Sequence, residues 1–472
     1  MNILIKNGLV VSEGKKTYTD IFIKDDKIQA LGNFDCQEFD KIIDATGMYV
    51  MPGAIDPHTH MELKQSSKYT SCDDFYDGTV AAACGGTTMI IDHMAFGEDG
   101  CDLHSPFDTY RELAKKSVID YSFHGVFQRV NDQLLDEMDE IVKNEGFPSF
   151  KAYTTYGYPL FDKDLMGILG HMKKTGGLLT VHSENDAITN VLRDKFAKEG
   201  KLDPIYHALS RPNEAEAEAV EREIYLARVE GDAPLYIVHL SASESLDAVK
   251  NAREKGQKNI YVETCTQYLT LTDDMFVNGG KEKGILYMLA PPLRKQKDID
   301  ALWLGVQKGD IQVIATDHCP FKPEEKLENV NDFRFCPGGI SGVEERVRVI
   351  FTEGVTKGRI SLERFVEVIS TNAAKIFGMY PKKGSLMPGS DADIMIIDPN
   401  KSMTITKENL HTKAGYSPFE GFECSCVIDT VISRGKIIAK NNEFLGERGY
   451  GQLVYREPNK QGDIIINGEN FN

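Results

Sequence analysis

The sequence predicts an α/β fold in which a (β/α)8 TIM barrel carries a small β-sandwich built from both ends of the chain. Two observations predict it. The middle of the chain alternates apolar, strand-like runs with amphipathic stretches, as repeated βα units do. Both ends instead contain short, closely spaced β-type runs separated by turns. The 472 residues exceed the usual size of one domain and accommodate both units.

The two ends of the chain are expected to form the sandwich together, from residues 1–52 and 385–455. The strands predicted near the N-terminus cover residues 3–5, 9–11, 20–23, 28–31 and 41–44. Those predicted near the C-terminus cover residues 391–397, 426–433, 436–439 and 443–445. Residues 456–472 are expected to be a tail that is either disordered or packed on a neighbouring subunit.

Residues 53–384 are expected to form most of the barrel. Eight apolar runs supply its strands, at residues 49–56, 87–92, 121–126, 149–153, 178–182, 235–239, 260–263 and 312–316. Helices with one apolar side are predicted between them, including residues 107–116, 214–228 and 243–254. In such a barrel the catalytic groups lie at the C-terminal ends of the strands.

Composition restricts the class of partner. A net charge of −18 argues against a nucleic acid or an anionic membrane as partner. No apolar stretch is long enough to cross a bilayer, and the N-terminus lacks the long apolar segment of a secretion signal, so a cytoplasmic location is expected. Nine dispersed cysteines without Cys-x-x-Cys pairs indicate reduced thiols, with Cys424 and Cys426 as packing residues.

The stretch Gly53 to Met61 contains the strongest local signal for chemistry. Here an apolar run ends in two imidazoles, His58 and His60, spaced two residues apart. In a strand, this spacing points both rings to one face, where they can hold a cation from one side. The alternative is two unrelated histidines at the start of a loop.

Polar residues recur at the ends of other predicted barrel strands. Lys151 lies in the fourth strand, His182 and His239 end the fifth and sixth, and Asp317 follows the eighth. Any one of them alone would most often be a structural residue. Agreement among five strand ends on nitrogen and carboxylate ligands instead predicts a metal site.

Four imidazoles and a carboxylate exceed the three protein ligands typical of one catalytic zinc, so two metal ions are the simpler interpretation. The ammonium of Lys151 would be repelled by two divalent cations. Reaction of the neutral amine with carbon dioxide would give an anionic carbamate with two oxygens that could bridge both metals. The chemistry favours that form, although the residues alone do not suggest it.

These motifs resemble the cyclic amidohydrolases of the dihydropyrimidinase and hydantoinase group, within the amidohydrolase superfamily. The resemblance covers nearly the whole chain and includes Gly53-Ala-Ile-Asp-Pro-His-Thr-His, Ser71-Cys-Asp-Asp-Phe, Ala82-Ala-Cys-Gly-Gly-Thr-Thr, Ser149-Phe-Lys-Ala-Tyr, Tyr236-Ile-Val-His-Leu-Ser, Glu263-Thr-Cys-Thr-Gln-Tyr-Leu and Ala315-Thr-Asp-His-Cys-Pro-Phe. Three further stretches are most similar to the bacterial D-phenylhydantoinase branch: Asp120-Tyr-Ser-Phe-His-Gly-Val, Tyr206-His-Ala-Leu-Ser-Arg-Pro and Tyr416-Ser-Pro-Phe-Glu-Gly-Phe.

The resemblance implies a centre of two divalent metal ions, usually zinc, with manganese or another divalent ion as the alternative. One metal would be held by His58, His60 and Asp317, the other by His182 and His239, with N6-carboxylated Lys151 bridging them. A metal-bridging hydroxide would then hydrolyse the ring amide of a hydantoin or dihydropyrimidine, giving an N-carbamoyl amino acid. A homotetramer is also implied.

Further roles follow for residues around this centre. Asp317 would carry the proton from the hydroxide to the departing ring nitrogen, and Tyr156 would donate a hydrogen bond to the developing oxyanion. Asp56, just before the two histidines, is expected to orient them. The backbones of Ala290 and Gly338 would bind the ring, although the family usually has Ser and Asn at these positions and any side-chain hydrogen bond there is lost.

The substituent on carbon 5 of the ring would be read by loops at residues 62–72 and 153–162. Their apolar and aromatic side chains predict a bulky aromatic substituent in the D configuration; the residues are Leu63, Tyr69, Tyr153, Tyr158 and Phe161.

Two other functions are compatible with the same scaffold. A dihydroorotase or an allantoinase shares the metal set, but dihydroorotases commonly have an arginine where this chain has Glu62. Non-catalytic scaffold proteins of the same fold lack a full set of metal ligands, whereas every ligand position is filled here. Both comparisons favour a hydantoinase or dihydropyrimidinase.

Overall fold

The computed structural model describes residues 1–34 and 38–458. Seven strands precede the barrel: β1 (Asn2–Lys6), β2 (Leu9–Ser12), β3 (Lys15–Tyr18), β4 (Asp20–Lys24), β5 (Lys27–Gly32), β6 (Lys41–Asp44) and β7 (Tyr49–Pro52). Five of the six strands before β7 match the predicted runs. The exception is β3, which is exposed along its whole length and therefore has no alternation of apolar and polar residues to reveal it.

Eight parallel strands form the barrel, in the order of the chain: β8 (Ala54–Thr59), β9 (Thr87–His93), β10 (Asp120–Val126), β11 (Ser149–Tyr153), β12 (Leu178–His182), β13 (Leu235–Ile237), β14 (Ile260–Cys265) and β15 (Val313–Ala315). A parallel bridge between Thr59 and His318 joins the end of β8 to the segment after β15 and closes the ring. The predicted barrel is therefore confirmed.

Helices connect and surround these strands. They are α1 (Asp77–Cys84), α2 (His104–Leu113), α3 (Asp132–Asn144), α4 (Asp162–Thr175), α5 (Asp186–Lys198), α6 (Ile205–Ser210), α7 (Asn213–Val229), α8 (Ser243–Glu254), α9 (Lys281–Gly284), α10 (Gln296–Lys308), α11 (Pro323–Leu327), α12 (Arg346–Ile350), α13 (Leu362–Val366) and α14 (Asn372–Ile376). The three predicted helices correspond to α2 with the short 3-10 turn that follows it, α7 and α8. Within the described ranges, no helix is long and apolar enough to cross a membrane.

The predicted first barrel strand, residues 49–56, is wrong as a single element. Its first part is β7, which pairs with strands of the sandwich, and only its second part, in β8, belongs to the barrel. The chain changes sheets at Gly53, where a Cβ atom would lie 2.2 Å from Thr88 Oγ1. A continuous apolar run does not reveal such a change, because both parts are buried.

Six strands follow the barrel: β16 (Ile394–Asp398), β17 (Met403–Thr404), β18 (Glu423–Cys424), β19 (Val427–Ser433), β20 (Lys436–Lys440) and β21 (Glu443–Phe444). One sheet has the order β5-β4-β1-β6, and another has β21-β20-β19-β16-β7-β2-β3, so the second joins strands from both ends of the chain. Isoleucines from both sheets share one buried cluster, among them Ile3, Ile23, Ile394 and Ile432, as the two faces of a sandwich do. The exact domain boundaries stay a prediction.

A buried ion network links barrel strand β10 to the segment before β16. Lys383 Nζ lies 2.6 Å from Asp120, 2.8 Å from Asp391 and 2.7 Å from Asp393, and Arg434 also pairs with Asp120 at 3.0 Å. Three carboxylates this close would suit a metal ion, but the ammonium of Lys383 already lies among them. The cluster is therefore structural.

The beginning of the predicted tail packs on the barrel. The buried Arg456 donates from its backbone N to Gly146 O at 2.9 Å and from Nε to Ser122 Oγ at 2.9 Å. Residues 459–472 lie outside the described part of the chain. All cysteines in the described ranges are free, and Cys424 and Cys426 are buried, as expected of packing residues.

Candidate active site

A cavity of about 480 Å³ opens at the C-terminal ends of the barrel strands. The residues predicted to hold metal, to catalyse or to bind the ring all line it: His58, His60, Lys151, Tyr156, His182, His239, Ala290, Asp317 and Gly338. Because all barrel strands are parallel, residues far apart in sequence meet at this one rim.

The first group of candidate metal ligands consists of His58, His60 and Asp317. The Nε2 atoms of both histidines lie 3.1 Å from Asp317 Oδ1, and one ligand atom from each residue lies within 4.8 Å of the others. The two rings project to the same side of β8, as their spacing predicts.

The second group is the pair His182 and His239. His182 Nδ1 lies 2.8 Å from His239 Nε2, so these two ring nitrogens are close enough to bind the same ion. The His239 ring stacks on His58 with 5.3 Å between the centroids, which brings the two groups side by side.

Lys151 is buried among these four imidazoles, with an exposed fraction of 1%. Its charge acts to lower the pKa of each of the four rings. Burial lowers the pKa of Lys151 itself to about 8 despite the nearby carboxylates. The lowered pKa increases the fraction of neutral, nucleophilic amine at the centre of this set of candidate metal ligands.

Protonation in the first group follows from burial and nearby charge. Burial lowers the pKa of His58, but the carboxylates of Glu263 and Asp317 outweigh burial and raise that pKa to about 9. Burial raises the pKa of Asp317, yet the charges and hydrogen bonds of His58 and His60 hold that pKa well below its usual value. Asp317 is therefore an ionised carboxylate that can accept a proton.

Glu263 is the functional residue that the prediction missed. Its Oε1 atom accepts hydrogen bonds from His58 Nδ1 at 2.6 Å and from the backbone N of His239 at 3.0 Å. Its Oε2 atom accepts from Tyr236 at 2.9 Å. Two signals were available, because Glu263 ends the predicted strand 260–263 and opens one of the motifs that carry the family resemblance.

Asp56 acts on the backbone rather than on the rings. It accepts from the backbone N of His58 at 3.2 Å and from Thr316 Oγ1 at 2.7 Å. Asp56 thus shapes the end of β8, whereas Glu263 orients the His58 ring.

A second carboxylate, Glu184, orients His182. His182 Nε2 lies 2.8 Å from Glu184 Oε2, which also accepts from Arg211. Burial raises the pKa of Glu184, but Arg211 and His182 overcome that effect and lower it to about 2. The Arg211 guanidinium in turn lies 5.5 Å from the ring centroid of Tyr156.

Three of the site residues have left-handed backbone conformations, with φ of 76° at Tyr156, 38° at His239 and 56° at Asp317. Non-glycine residues adopt this region at an energetic cost, and such residues cluster at active sites. Here the conformation places side chains from three different strand ends at the same cavity.

The predicted substituent-binding surface is partly wrong. Leu63, Tyr153 and Tyr158 line the cavity. Tyr69 instead packs against Phe321 as part of a separate buried cluster. Phe161 is 69% exposed and lies outside the cavity lining, because it precedes helix α4 and points to solvent. The apolar lining that the prediction missed consists of Met94, Phe96, Met288 and Phe333.

The segments that carry Ala290 and Gly338 are fixed to each other. Gly339 N donates to Met288 O at 2.8 Å. The fully buried Lys326 donates to Met288 O at 2.9 Å and to Gly339 O at 2.5 Å. These bonds hold two stretches of main chain at the wall of the cavity.

The parallel barrel and the His, Asp and Lys residues at its strand ends define a hydrolase of the metal-dependent barrel class. The model of the amidohydrolase family matches residues 49–438. The chain belongs to the amidohydrolase family and, within it, to the group of D-hydantoinases and dihydropyrimidinases.

Individual relatives support this assignment. The chain is 47% identical over 465 residues to a D-phenylhydantoinase of Escherichia coli O1:K1, covering 97% of this chain and 99% of that protein. It is similar to the crystal structure of dihydropyrimidinase from Brevibacillus agri, with a TM-score of 0.94, 40% identity and coverage of 98% and 100% of the two chains. A D-hydantoinase from a Bacillus species gives a TM-score of 0.94 and 39% identity, with coverage of 97% and 100%. The resemblance inferred from the motifs is thus confirmed.

Proposed function

We propose that the protein hydrolyses the ring amide of 5-monosubstituted hydantoins or dihydropyrimidines to N-carbamoyl amino acids. The observation that carries this proposal is the convergence of His58, His60, His182, His239 and Asp317 around Lys151 in one cavity. The relatives named D-phenylhydantoinase, D-hydantoinase and dihydropyrimidinase share the fold and most of the length of the chain.

The donor set suits divalent metal ions. The Nδ1 atom of His58 is taken by Glu263, which leaves Nε2, 3.1 Å from Asp317 Oδ1, as the nitrogen that could bind a metal. A carboxylate behind an imidazole is the usual arrangement at metal centres.

We assign two zinc ions to the site. One ion would be held by His58, His60 and Asp317, and the other by His182 and His239. Lys151 would hold both ions once its amine has added to carbon dioxide and lost a proton, which gives a carbamate. Bound divalent cations supply Lewis acidity, which lowers the pKa of water and polarises an amide carbonyl.

Asp317 moves the proton in this proposal. As an ionised carboxylate it accepts a proton from the attacking water, whose oxygen bonds to the amide carbon. When the ring C–N bond breaks, Asp317 gives that proton to the departing nitrogen, so the ring opens without a free amide anion.

Tyr156 stabilises the oxyanion that forms on the attacked carbonyl. Its ring centroid lies 4.8 Å from that of His182 and the residue lines the cavity, which supports this role. A neutral phenol donates a hydrogen bond, which is worth most where charge develops. The backbones of Ala290 and Gly338 are assigned to bind the ring.

The apolar lining of the cavity supports a bulky, aromatic 5-substituent, and the D configuration follows the names of the relatives. Glu62 forms an ion pair with Lys116 at 2.6 Å and supplies no cation for a substrate carboxylate, which disfavours dihydroorotate. We also assign a homotetrameric state in the cytoplasm, and light scattering on the purified protein tests the tetramer.

A panel assay on metal-quantified protein tests the activity. The substrates are D- and L-5-phenylhydantoin, dihydrouracil, allantoin and dihydroorotate. We expect the highest kcat/KM for D-5-phenylhydantoin. Equal or better turnover of allantoin or dihydroorotate would refute the proposed substrate class, and a preference for the L form would refute the proposed configuration.

A further inference from the structure

The side chain of Gln65 pairs with the main chain of Gly338. Gln65 Nε2 donates to Gly338 O at 2.8 Å, and Gly338 N donates to Gln65 Oε1 at 3.2 Å. Both residues line the cavity that contains the candidate metal ligands. The side-chain amide of Gln65 therefore occupies both the backbone N–H and the backbone C=O of Gly338 at the cavity wall.

This pairing has the hydrogen-bonding pattern of a cyclic amide. In a ring, the amide N–H and C=O are held on the same side of the C–N bond, so a donor and an acceptor lie next to each other. The primary amide of Gln65 presents the same adjacent donor and acceptor. The edge of Gly338 that binds Gln65 can thus bind a cyclic amide in the same way.

The Gly338 edge is fixed, and the Cβ side of the residue is uncrowded. A Cβ atom at Gly338 would meet nothing closer than Leu289 Cα at 4.0 Å. The next residue, Gly339, is held through its N–H by Met288 O at 2.8 Å and through its carbonyl by Lys326 at 2.5 Å. A ligand would find this edge in place before it binds.

Gln65, in contrast, is exposed on a loop whose base is anchored. Tyr69, 8% exposed, packs on Phe321 and donates to Glu328, and Ser71 N donates to Leu63 O at 2.8 Å. The Gln65 side chain can therefore leave Gly338 by rotating, while the base of the loop stays in position.

We propose that Gln65 is a specificity-determining residue whose side-chain amide competes with the substrate ring for the main chain of Gly338. The proposal rests on the proposed function, because it takes a cyclic amide as the ligand. A ring that brings both an N–H and a C=O replaces both hydrogen bonds. A ring without the N–H replaces only one and leaves the Gly338 carbonyl unpaired.

The competition weakens substrate binding. The apparent Kd equals the intrinsic Kd divided by the fraction of molecules in which Gly338 is free. Removing the Gln65 amide should lower the KM for D-5-phenylhydantoin about threefold to tenfold and leave kcat unchanged. The matched control is Ser67→Ala, an exposed position on the same loop, which should keep the wild-type KM.

The test compares wild type, Gln65→Ala and Ser67→Ala with two readouts, both on the metal-loaded enzyme. The first is KM and kcat for D-5-phenylhydantoin. The second is the Kd of 2-pyrrolidinone, an unreactive cyclic amide, measured by calorimetry, with N-methyl-2-pyrrolidinone as the ligand that lacks the donor. We expect Gln65→Ala to bind 2-pyrrolidinone about threefold to tenfold more tightly than the wild type does, and both proteins to bind the N-methyl compound less tightly than 2-pyrrolidinone, because it leaves the Gly338 carbonyl unpaired.

An unchanged or higher KM and Kd in Gln65→Ala would overturn the proposal, as would equal affinity of Gln65→Ala for the two lactams. Failure of the proposed function gives a different result, because the wild type would then hydrolyse no ring in the panel. The lactam titration still decides the role of Gln65 in that case, since it does not depend on turnover.

Discussion

Glu263 Oε1 lies 2.6 Å from His58 Nδ1, so a carboxylate on β14 fixes the orientation of an imidazole on β8. The same oxygen accepts from the backbone N of His239, at 3.0 Å. Glu263 therefore connects the two groups of candidate metal ligands. Its position explains why the His58 ring presents Nε2 to Asp317.

Replacing Glu263 with Gln should weaken metal binding by roughly 10-fold to 100-fold, because a neutral amide orients and polarises the His58 ring less well than a carboxylate does. Competition with a chelator, followed by metal analysis, measures the effect. Glu254→Gln, at an exposed position on α8, is the control and should leave metal affinity unchanged. Equal metal affinity in both variants would show that Glu263 does not orient a ligand.

Replacing Tyr156 with Phe removes one hydroxyl and keeps the ring. We expect kcat for D-5-phenylhydantoin to fall by about 10²-fold to 10³-fold, since an oxyanion donor acts mainly in the transition state. KM and metal content should change little. Tyr158→Phe, which also alters a tyrosine at the cavity, should keep most of the activity. A comparable loss in the two variants would contradict the special role of Tyr156.

Replacing Lys383 with Met should destabilise the fold by about 3–5 kcal/mol, because three buried carboxylates lose their counter-ion. Urea unfolding measures this loss. The exposed Lys440→Met is the control, and its stability should stay near that of the wild type.

The loss caused by Lys383→Met should depend on pH. Burial raises the pKa of Asp391, but Lys383 and Lys27 together outweigh burial and lower it, so the stabilisation is present above the usual carboxyl pKa and is lost as pH falls through the lowered value. Without Lys383 the pKa of Asp391 should rise. The difference in stability between the variant and the wild type should therefore shrink from pH 8 to pH 5. A difference that grows on acidification would contradict this account.

The sequence pointed to the candidate ligands that meet in the cavity because each is a local signal. His58 and His60 lie two residues apart at the end of an apolar run, and His182 ends another such run. Parallel barrel strands then bring their ends together without any further information.

Glu263 and the strand change at Gly53 were harder to predict, because they depend on contacts between distant segments. Glu263 meets His58 across 205 positions of sequence, and its target follows from the packing of side chains in the barrel. Tyr69 and Phe161 showed the converse error. Aromatic residues in a loop suggest a binding surface, but packing on Phe321 and exposure to solvent direct them elsewhere.

The metal content and activity of Lys151→Ala test the central claim most directly. The wild type should contain two equivalents of divalent metal per chain and hydrolyse D-5-phenylhydantoin. Lys151→Ala should lose metal and activity, because the amine proposed to form the bridge is removed, and acetate or formate should restore part of the activity by supplying a small carboxylate. A Lys151→Ala protein that keeps two equivalents of metal and wild-type turnover would contradict the account.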